Sequence, residues 1–305
     1  MTHIDSAPAA THDGSLARIV AFARKASFET THLSAAQIAE VKAVAPPGTA
    51  IYVAAIPSRP LAEQTETVRD LRAAGYEPVP HLVARNFSSL AEMDAHVARM
   101  ADEAGVRTAL VIAGDRPEPA GPFFDALAII RSGVLEKRGI TDIGISSYPD
   151  GHPRIDDAML DKALDDKLAA ARDAGLAVRI VTQFTMAAEP YVALLRRLRS
   201  RGIDNPVSVG LAGPTSMTTL LRFAKICGVK TSMQGLTRNI GLVKNLIGSS
   251  TSAPIVKALA ERPGEFGDIA PHFFSFGGLP ATVRWGCAVM AGRISPTKDG
   301  FEVQS

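Results

Sequence analysis

The chain has 305 residues, of which 46% are hydrophobic and 21% are charged, and its formal net charge is +2. This composition indicates a globular protein with a substantial core and excludes a disordered chain. The small net charge provides no general attraction to nucleic acid or to an anionic membrane, so neither is expected as a partner. The length fits either two average domains or one α/β barrel.

The cysteines and the N-terminal segment point to a cytoplasmic protein. Cys227 and Cys287 are too few for a disulfide framework or a cysteine-based zinc site, and both are interpreted as core residues. Residues 1–16 are polar and lack the basic start and apolar run of a secretory signal. We also find no apolar stretch long enough to span a membrane.

Short apolar runs alternate with amphipathic helical patterns along nearly the whole chain. The predicted strands are Ala26–Phe28, Ala50–Ala55, Pro78–Val83, Thr108–Ile112, Asp142–Ser146, Val178–Phe184, Pro206–Gly210 and His272–Phe276. The clearest predicted helices are Leu61–Ala74, Leu90–Ala104, Phe123–Glu136, Asp156–Ala174, Tyr191–Arg201 and Thr218–Ile226. Parallel strands need helical crossovers, and eight such units favour a (β/α)8 TIM barrel over an open sheet.

No strong linker, charge block or low-complexity tract lies between Ala26 and Ser295, which predicts a single domain over residues 1–305 with its core at about 26–295. Ser89 and Glu92 have the spacing of a helix capping box. The glycines placed to end helices in a left-handed conformation are Gly75, Gly105, Gly175 and Gly202. Two helical stretches between Thr237 and Glu261 predict an extra helix before the last strand. The polar tails are expected to lie outside the core, and the tail after Ile294 is expected to fray.

Barrel enzymes place their active sites at the carboxyl ends of the strands. The polar residues predicted to meet there are Glu29, His81, Asp115, Tyr148, His152 and Gln183. A carboxylate after a strand is commonly a helix cap, and a lone histidine is commonly a hydrogen-bonded core residue. Their convergence at one mouth is what favours catalysis. The histidines lie on separate elements without the spacing of metal ligands, so we expect no catalytic metal.

Several segments at these strand ends occur together, in this order, in a known family. They are Ser27-Phe28-Glu29, Pro80-His81-Leu82, Ala113-Gly114-Asp115-Arg116-Pro117, Ser147-Tyr148-Pro149-Asp150-Gly151-His152-Pro153, Thr182-Gln183-Phe184 and Gly202-Ile203-Asp204-Asn205-Pro206. With them the chain resembles methylenetetrahydrofolate reductase over about residues 26–293. The resemblance implies a homo-oligomeric flavin barrel. It would use NAD(P)H and FAD to interconvert 5,10-methylenetetrahydrofolate and 5-methyltetrahydrofolate.

The resemblance also implies roles for individual residues. Glu29 matches the general acid that helps to open the folate imidazolidine ring, and a raised pKa would suit that role. Asp115 matches a carboxylate near the flavin and pterin, where it would stabilise a cationic iminium. The residues expected to bind folate are Gln183, Phe223 and Phe276. The residues expected to contact the flavin are His81, Gly114, Asp115, Tyr148, His152 and Asp161.

The chain also departs from the family at positions that contact the flavin. These positions are Tyr52-Val53-Ala54-Ala55-Ile56-Pro57 after the second strand, Ala113, Ala171 beside Arg172, and Thr185-Met186-Ala187. The family's helical Asp matches either Asp161 or Leu164, depending on where the extra residues are placed. Two interpretations follow. Either FAD binds more weakly or in a changed pose, which the retained contacts favour, or hydride passes directly from NADH to the folate.

Two further hypotheses belong to other classes. A barrel lyase or aldolase would need a Schiff-base lysine or a metal cluster at the mouth, and no lysine ends a predicted strand. A folate-binding protein without redox chemistry would explain the lost flavin contacts. However, Glu29, Asp115 and Gln183 are all retained, which favours an active enzyme.

Overall fold

The computed structural model describes residues 9–229 and 251–304. Eight parallel strands form a closed barrel in chain order, and the first strand pairs with the eighth. They are β1 (Ser27–Thr30), β2 (Ala50–Val53), β3 (Glu77–Val83), β4 (Thr108–Ile112), β5 (Asp142–Ser147), β6 (Ala177–Thr182), β7 (Val207–Ala212) and β8 (Ile269–Phe274). The predicted TIM barrel is therefore confirmed.

Helices connect the strands and cover the outside of the barrel. In the described residues they are α1 (Ala9–Ala23), α2 (Ala35–Lys42), α3 (Leu61–Ala73), α4 (Leu90–Ala104), α5 (Ala126–Ile130), α6 (Val134–Lys137), α7 (Asp157–Asp173), α8 (Glu189–Ser200), α9 (Met217–Ile226), α10 (Ala253–Ala260) and α11 (Leu279–Met290). None of these helices is both long enough and apolar enough to cross a membrane.

Some predicted helix boundaries are confirmed and others are wrong. The single helix predicted over Phe123–Glu136 is wrong, because Gly133 has a φ of 74° and separates α5 from α6. Helix α2 was not predicted. The expected extra helix corresponds in part to α10, and the remainder of that prediction, residues 237–250, lies outside the described residues.

The predicted helix caps are largely confirmed. All four glycines predicted to end helices have positive φ angles. Ser89 accepts a hydrogen bond from the Glu92 amide at 3.1 Å, as a cap should. The reciprocal half of the predicted capping box is wrong, because the Glu92 carboxylate accepts hydrogen bonds from Ser88 instead. A complete capping box that was not predicted joins Ser34 and Gln37 at the start of α2.

Both tails contain packed structure, contrary to expectation. Near the N-terminus, Ile19 and Phe22 of α1 are buried, and α1 packs against α10 and α11. Near the C-terminus, β9 (Ile294–Pro296) and β10 (Phe301–Val303) form an antiparallel hairpin. The Phe301 ring is buried and stacks on Trp285 at 5.8 Å. The apolar surface that these segments bury gives them a fixed place on the barrel.

The barrel has an apolar outer layer and a partly polar interior. Side chains that point outward from the strands pack against the helices in one large core cluster. The interior holds a small apolar group, which consists of Tyr52, Val79, Leu110 and Val181. Alternation along the strands then directs Ser27, Glu29, His81 and His272 inward as well. This polar part of the interior leads to the mouth.

Candidate active site

Glu29 lies near the carboxyl end of β1, with its side chain 18% exposed. Its Oε2 atom lies 3.2 Å from Nε2 of His81 on β3 and 3.3 Å from Nε2 of His272 on β8. The His272 contact has hydrogen-bond geometry. Within the described part of the chain, His81 Nε2 has no aligned hydrogen-bond partner, so its contact with Glu29 is electrostatic. The same carboxylate oxygen therefore contacts both imidazole rings.

The contacts of Glu29 continue into the barrel through His272. His272 is fully buried, and its Nδ1 lies 2.9 Å from the Ser27 hydroxyl. The Tyr52 ring packs edge-on against His272, with 4.5 Å between the ring centroids. Burial raises the pKa of Tyr52 to about 12, and the Glu29 charge contributes to that rise. A series of side-chain contacts therefore runs from Ser27 through His272 to Glu29, from the barrel interior toward the mouth.

The environment of Glu29 overturns the raised pKa that we expected. Burial raises the pKa of the carboxyl, but the charge of His81 and the hydrogen bond and charge of His272 outweigh it and lower the pKa from 4.5 to about 2. Glu29 is therefore a carboxylate at neutral pH.

Gly114 and Asp115 follow β4 in a loop that is fixed by Arg85. Gly114 has a φ of 92°, and a Cβ atom there would lie 2.3 Å from Val83 Cγ1, so this position requires glycine. The Arg85 side chain donates hydrogen bonds to the carbonyls of Arg116 and Phe124, both at 2.9 Å. The backbone of the loop is thereby held while the Asp115 side chain remains exposed.

Asp115 lies close enough to Tyr148, His152 and Cys227 to affect their ionisation. Burial, with a contribution from the Asp115 charge, raises the pKa of Tyr148. Burial lowers the pKa of His152, and Asp115 opposes that shift. Burial and then the charges of Asp115 and Glu29 raise the pKa of Cys227 to about 11. Cys227, interpreted from the sequence as a core residue, is half-buried beside these two carboxylates.

Tyr148 and His152 form an edge-on aromatic pair after β5. Their ring centroids are 5.1 Å apart, with 75° between the ring planes. The Tyr148 hydroxyl donates a hydrogen bond to Ser146 Oγ at 3.4 Å. The amide of Arg154 donates one to His152 Nδ1 at 3.2 Å. In a neutral ring the proton of His152 is therefore on Nε2.

The predicted folate-binding residues include a stack of aromatic rings. Phe223 of α9 stacks on Phe276 at 4.2 Å, with 13° between the rings, and Phe274 lies parallel to Phe276 at 5.7 Å. Gln183 directly follows β6, and its side-chain oxygen accepts a hydrogen bond from the Phe184 amide at 3.0 Å. The structure therefore brings together the two phenylalanines that were predicted from distant parts of the chain.

Asp161 has a different environment from the other predicted site residues. It lies on α7, where its carboxylate is 2.7 Å from Nη1 of Arg201 and 3.4 Å from Nη1 of Arg197, both near the end of α8. Its charge is therefore already paired, and its cofactor contact remains a prediction. The alternative match, Leu164, is buried on α7, as is Ala171.

His272 and Tyr52 were not predicted as site residues. The sequence placed His272 at the start of its predicted strand, away from the carboxyl end where the site was expected. In the structure β8 begins three residues earlier, at Ile269, so His272 lies in the middle of the strand and faces inward. Extending the predicted strand back over Pro271 would have placed His272 on the inward-facing side by the alternation of side chains along a strand. No three His, Cys, Asp or Glu side chains are grouped as metal ligands in the described ranges.

The family profile and the curated relatives that match this chain carry the same family name. The family profile described as methylenetetrahydrofolate reductase matches residues 36–245. Curated relatives named 5,10-methylenetetrahydrofolate reductase include those of Pectobacterium carotovorum, at 29% identity over 191 residues, and Salmonella typhimurium, at 28% over 193 residues. Each alignment covers 61% of this chain and 62% of the relative. A solved D-hydantoinase matches 57% of this chain and 41% of its own at 11% identity and a TM-score of 0.35, which is too slight to bear on function.

Proposed function

Because the chain belongs to the methylenetetrahydrofolate reductase family, we propose that it interconverts 5,10-methylenetetrahydrofolate and 5-methyltetrahydrofolate with NAD(P)H as hydride donor. In the reducing direction, the folate methylene carbon gains a hydride, its bond to N10 breaks, and N10 gains a proton. The observation that carries this proposal is the half-buried Glu29 carboxylate between two imidazoles at the mouth of the barrel. Such a site can store and deliver the required proton.

Under this proposal the acid is the whole Glu29–imidazole unit and not a protonated Glu29. Its pKa of about 2 keeps Glu29 ionised at neutral pH. We place the transferred proton initially on Nε2 of His81 or His272, which lie 3.2 and 3.3 Å from Oε2 of Glu29. The imidazole can then give that proton to Glu29 as Glu29 delivers one to the departing N10, which leaves the imidazole neutral and Glu29 again a carboxylate. The Ser27 hydroxyl at His272 Nδ1 fixes the ring orientation.

Asp115 and the aromatic stack have separate roles in this proposal. Ring opening leaves a cationic iminium, which the exposed Asp115 carboxylate stabilises electrostatically. The Phe223 and Phe276 rings offer flat apolar surfaces to the aromatic parts of the folate or to the nicotinamide. Gln183 presents its side-chain amide to the folate head group. Together these residues would orient the methylene carbon toward the hydride donor.

FAD is the cofactor that we propose for this mouth. His81 Nε2 is a buried polar atom that lacks an aligned hydrogen bond within the described residues, which suits a polar ligand edge. The resemblance also assigns Gly114, Asp115, Tyr148 and His152 to the flavin, and the Asp115 charge acts on both Tyr148 and His152, so these residues together with His81 would hold the cofactor. When bound, FAD supplies a two-electron relay between the nicotinamide and the folate.

A specific observation keeps direct hydride transfer as a second candidate. Ala171 stands where the resemblance places a family lysine, and it is 0% exposed and carries no charge. Leu164, one of the two possible matches for the family's helical Asp, is 5% exposed and also uncharged. Ala113 likewise replaces an arginine of the family. Each missing polar contact weakens binding by about 1 kcal/mol. A weakly held flavin, or none, would leave the nicotinamide to reach the folate itself.

An oxidation assay separates these possibilities. The purified protein, stripped of any flavin, is given methylenetetrahydrofolate with NADH or NADPH, with and without added FAD. We expect FAD to restore turnover and to remain bound with a visible flavin spectrum. Full turnover without FAD supports direct transfer instead. No turnover in any mixture refutes the reductase, and folate binding without turnover identifies a folate-binding protein. A homo-oligomer is also proposed from the family, and light scattering would test it.

A further inference from the structure

A buried polar pair, Gln64 of α3 and His96 of α4, lies outside the site described above. Their exposed fractions are 5% and 0%. Gln64 Nε2 donates hydrogen bonds to the carbonyls of Val53, at 2.7 Å, and His81, at 3.0 Å. Gln64 Oε1 lies 3.1 Å from His96 Nε2. A helix face that packs against a barrel is normally apolar. Burying polar groups there costs free energy, which suggests that the pair has a specific role.

The bonding pattern fixes the proton positions of the pair. Two carbonyls occupy both protons of the Gln64 amide nitrogen, so its oxygen must face His96. His96 Nε2 then carries a proton and donates it to that oxygen. Burial, with the Arg99 charge, lowers the pKa of His96 to about 4, so the ring is neutral at physiological pH. Both residues are therefore fixed in one orientation.

Gln64 acts where the pairing of two strands ends. The β2–β3 register runs only as far as Val53 and Pro80, and proline has no N–H to donate. Just beyond this point, Gln64 joins the Val53 and His81 carbonyls. Gln64 binds the backbone carbonyl of His81, whereas the ring of His81 faces the barrel interior. There its Nε2 is 3.2 Å from Glu29. The amide thus fixes the backbone that carries the imidazole.

We propose that Gln64, held by His96, is a positioning residue that sets the contact between the His81 imidazole and Glu29. Its effect on turnover rests on the proposed function, whereas its effect on Glu29 does not. Without the amide, the two carbonyls lose their donor and the ends of β2 and β3 are free to separate. The His81 ring then moves away from Glu29, and one of the two imidazoles that lower the pKa of Glu29 is weakened.

Gln64→Met tests this proposal, because methionine keeps the length of the side chain but has no donor. The readout is the pKa of Glu29, followed by ¹³C NMR of labelled glutamate and assigned with Glu29→Gln. The described groups that face Glu29 are His81, His272, Tyr52 and Cys227, and only the His81 contact depends on Gln64. We expect the pKa of Glu29 to rise from about 2 by about one unit. We also expect kcat to fall roughly tenfold with little change in KM.

Thr67→Val is the matched control. Thr67 is also buried on α3, one turn beyond Gln64, and its hydroxyl contacts the Glu63 carbonyl and His32. This variant should lose stability without changing kcat or the pKa of Glu29. Should Gln64→Met fail to fold, His96→Phe replaces it, with a smaller shift in the same direction. An unchanged Glu29 pKa in a folded variant overturns the proposal. A shifted pKa in a protein that does not reduce methylenetetrahydrofolate refutes only the proposed function.

Discussion

Glu29→Gln removes the charge at the centre of the candidate site and tests the environment of Glu29 in two ways. The folded pKa of about 2 lies below the ordinary value of 4.5. The ionised carboxylate is therefore stabilised by folding above pH 4.5, and that stabilisation is lost as the pH falls toward 2. The difference corresponds to about 3 kcal/mol of unfolding free energy. Glutamine does not titrate, so the variant lacks this component of the acid sensitivity.

Denaturant unfolding of both proteins at several pH values measures this difference. We expect the wild type to lose about 3 kcal/mol more than Glu29→Gln between pH 5 and pH 2. His272→Asn leaves one imidazole beside Glu29. Its loss of unfolding free energy between pH 5 and pH 2 should therefore lie between those of the wild type and Glu29→Gln. Parallel stability curves for the wild type and Glu29→Gln would refute the assignment of a lowered pKa to Glu29.

Turnover provides the second test of the same variant. Glutamine keeps the size of the side chain but cannot relay a proton, so folate binding should persist while kcat falls by roughly 10² to 10⁴. Titration calorimetry measures the binding and the oxidation assay measures the rate. Near-normal reduction of methylenetetrahydrofolate by Glu29→Gln would remove Glu29 from proton transfer.

Three further predictions follow from other residues. Gly114→Ala should impair ligand binding, because its Cβ would collide with Val83 at 2.3 Å and displace the loop, which calorimetry and the crystal structure of the variant would show. Burial lowers the pKa of Lys167 from 10.5 to about 8 and so destabilises the fold below pH 8. Lys167→Met should therefore raise the unfolding free energy at pH 7 by up to about 3 kcal/mol, with the gain shrinking from pH 8 to 10.5. A gain that does not vary with pH would contradict this cause. Phe223→Leu removes the stack on Phe276 and should raise the KM for folate roughly fivefold, about 1 kcal/mol, with a smaller change in kcat; an unchanged KM would exclude the stack from binding.

The strand–helix alternation alone was sufficient to predict the fold. The period-2 and period-3.6 patterns are local, and parallel strands separated by helices have few ways to close. The boundaries of α4 and β4 were correct to the residue. The C-terminal hairpin and α2 were missed because their short patterns become stable only through packing against the rest of the chain.

The sequence by itself determined which residues end the strands, and so it identified Glu29, Asp115 and Gln183 as candidates. It did not determine which of them touch. His272 meets Glu29 only because β8 closes the barrel against β1 across 243 positions of sequence, in a register that pairs Ser27 with His272. His81 of β3, together with His272, reversed the expected pKa shift of Glu29. Ionisation depends on distances to charges that the tertiary structure alone brings near, and no local pattern encodes those distances.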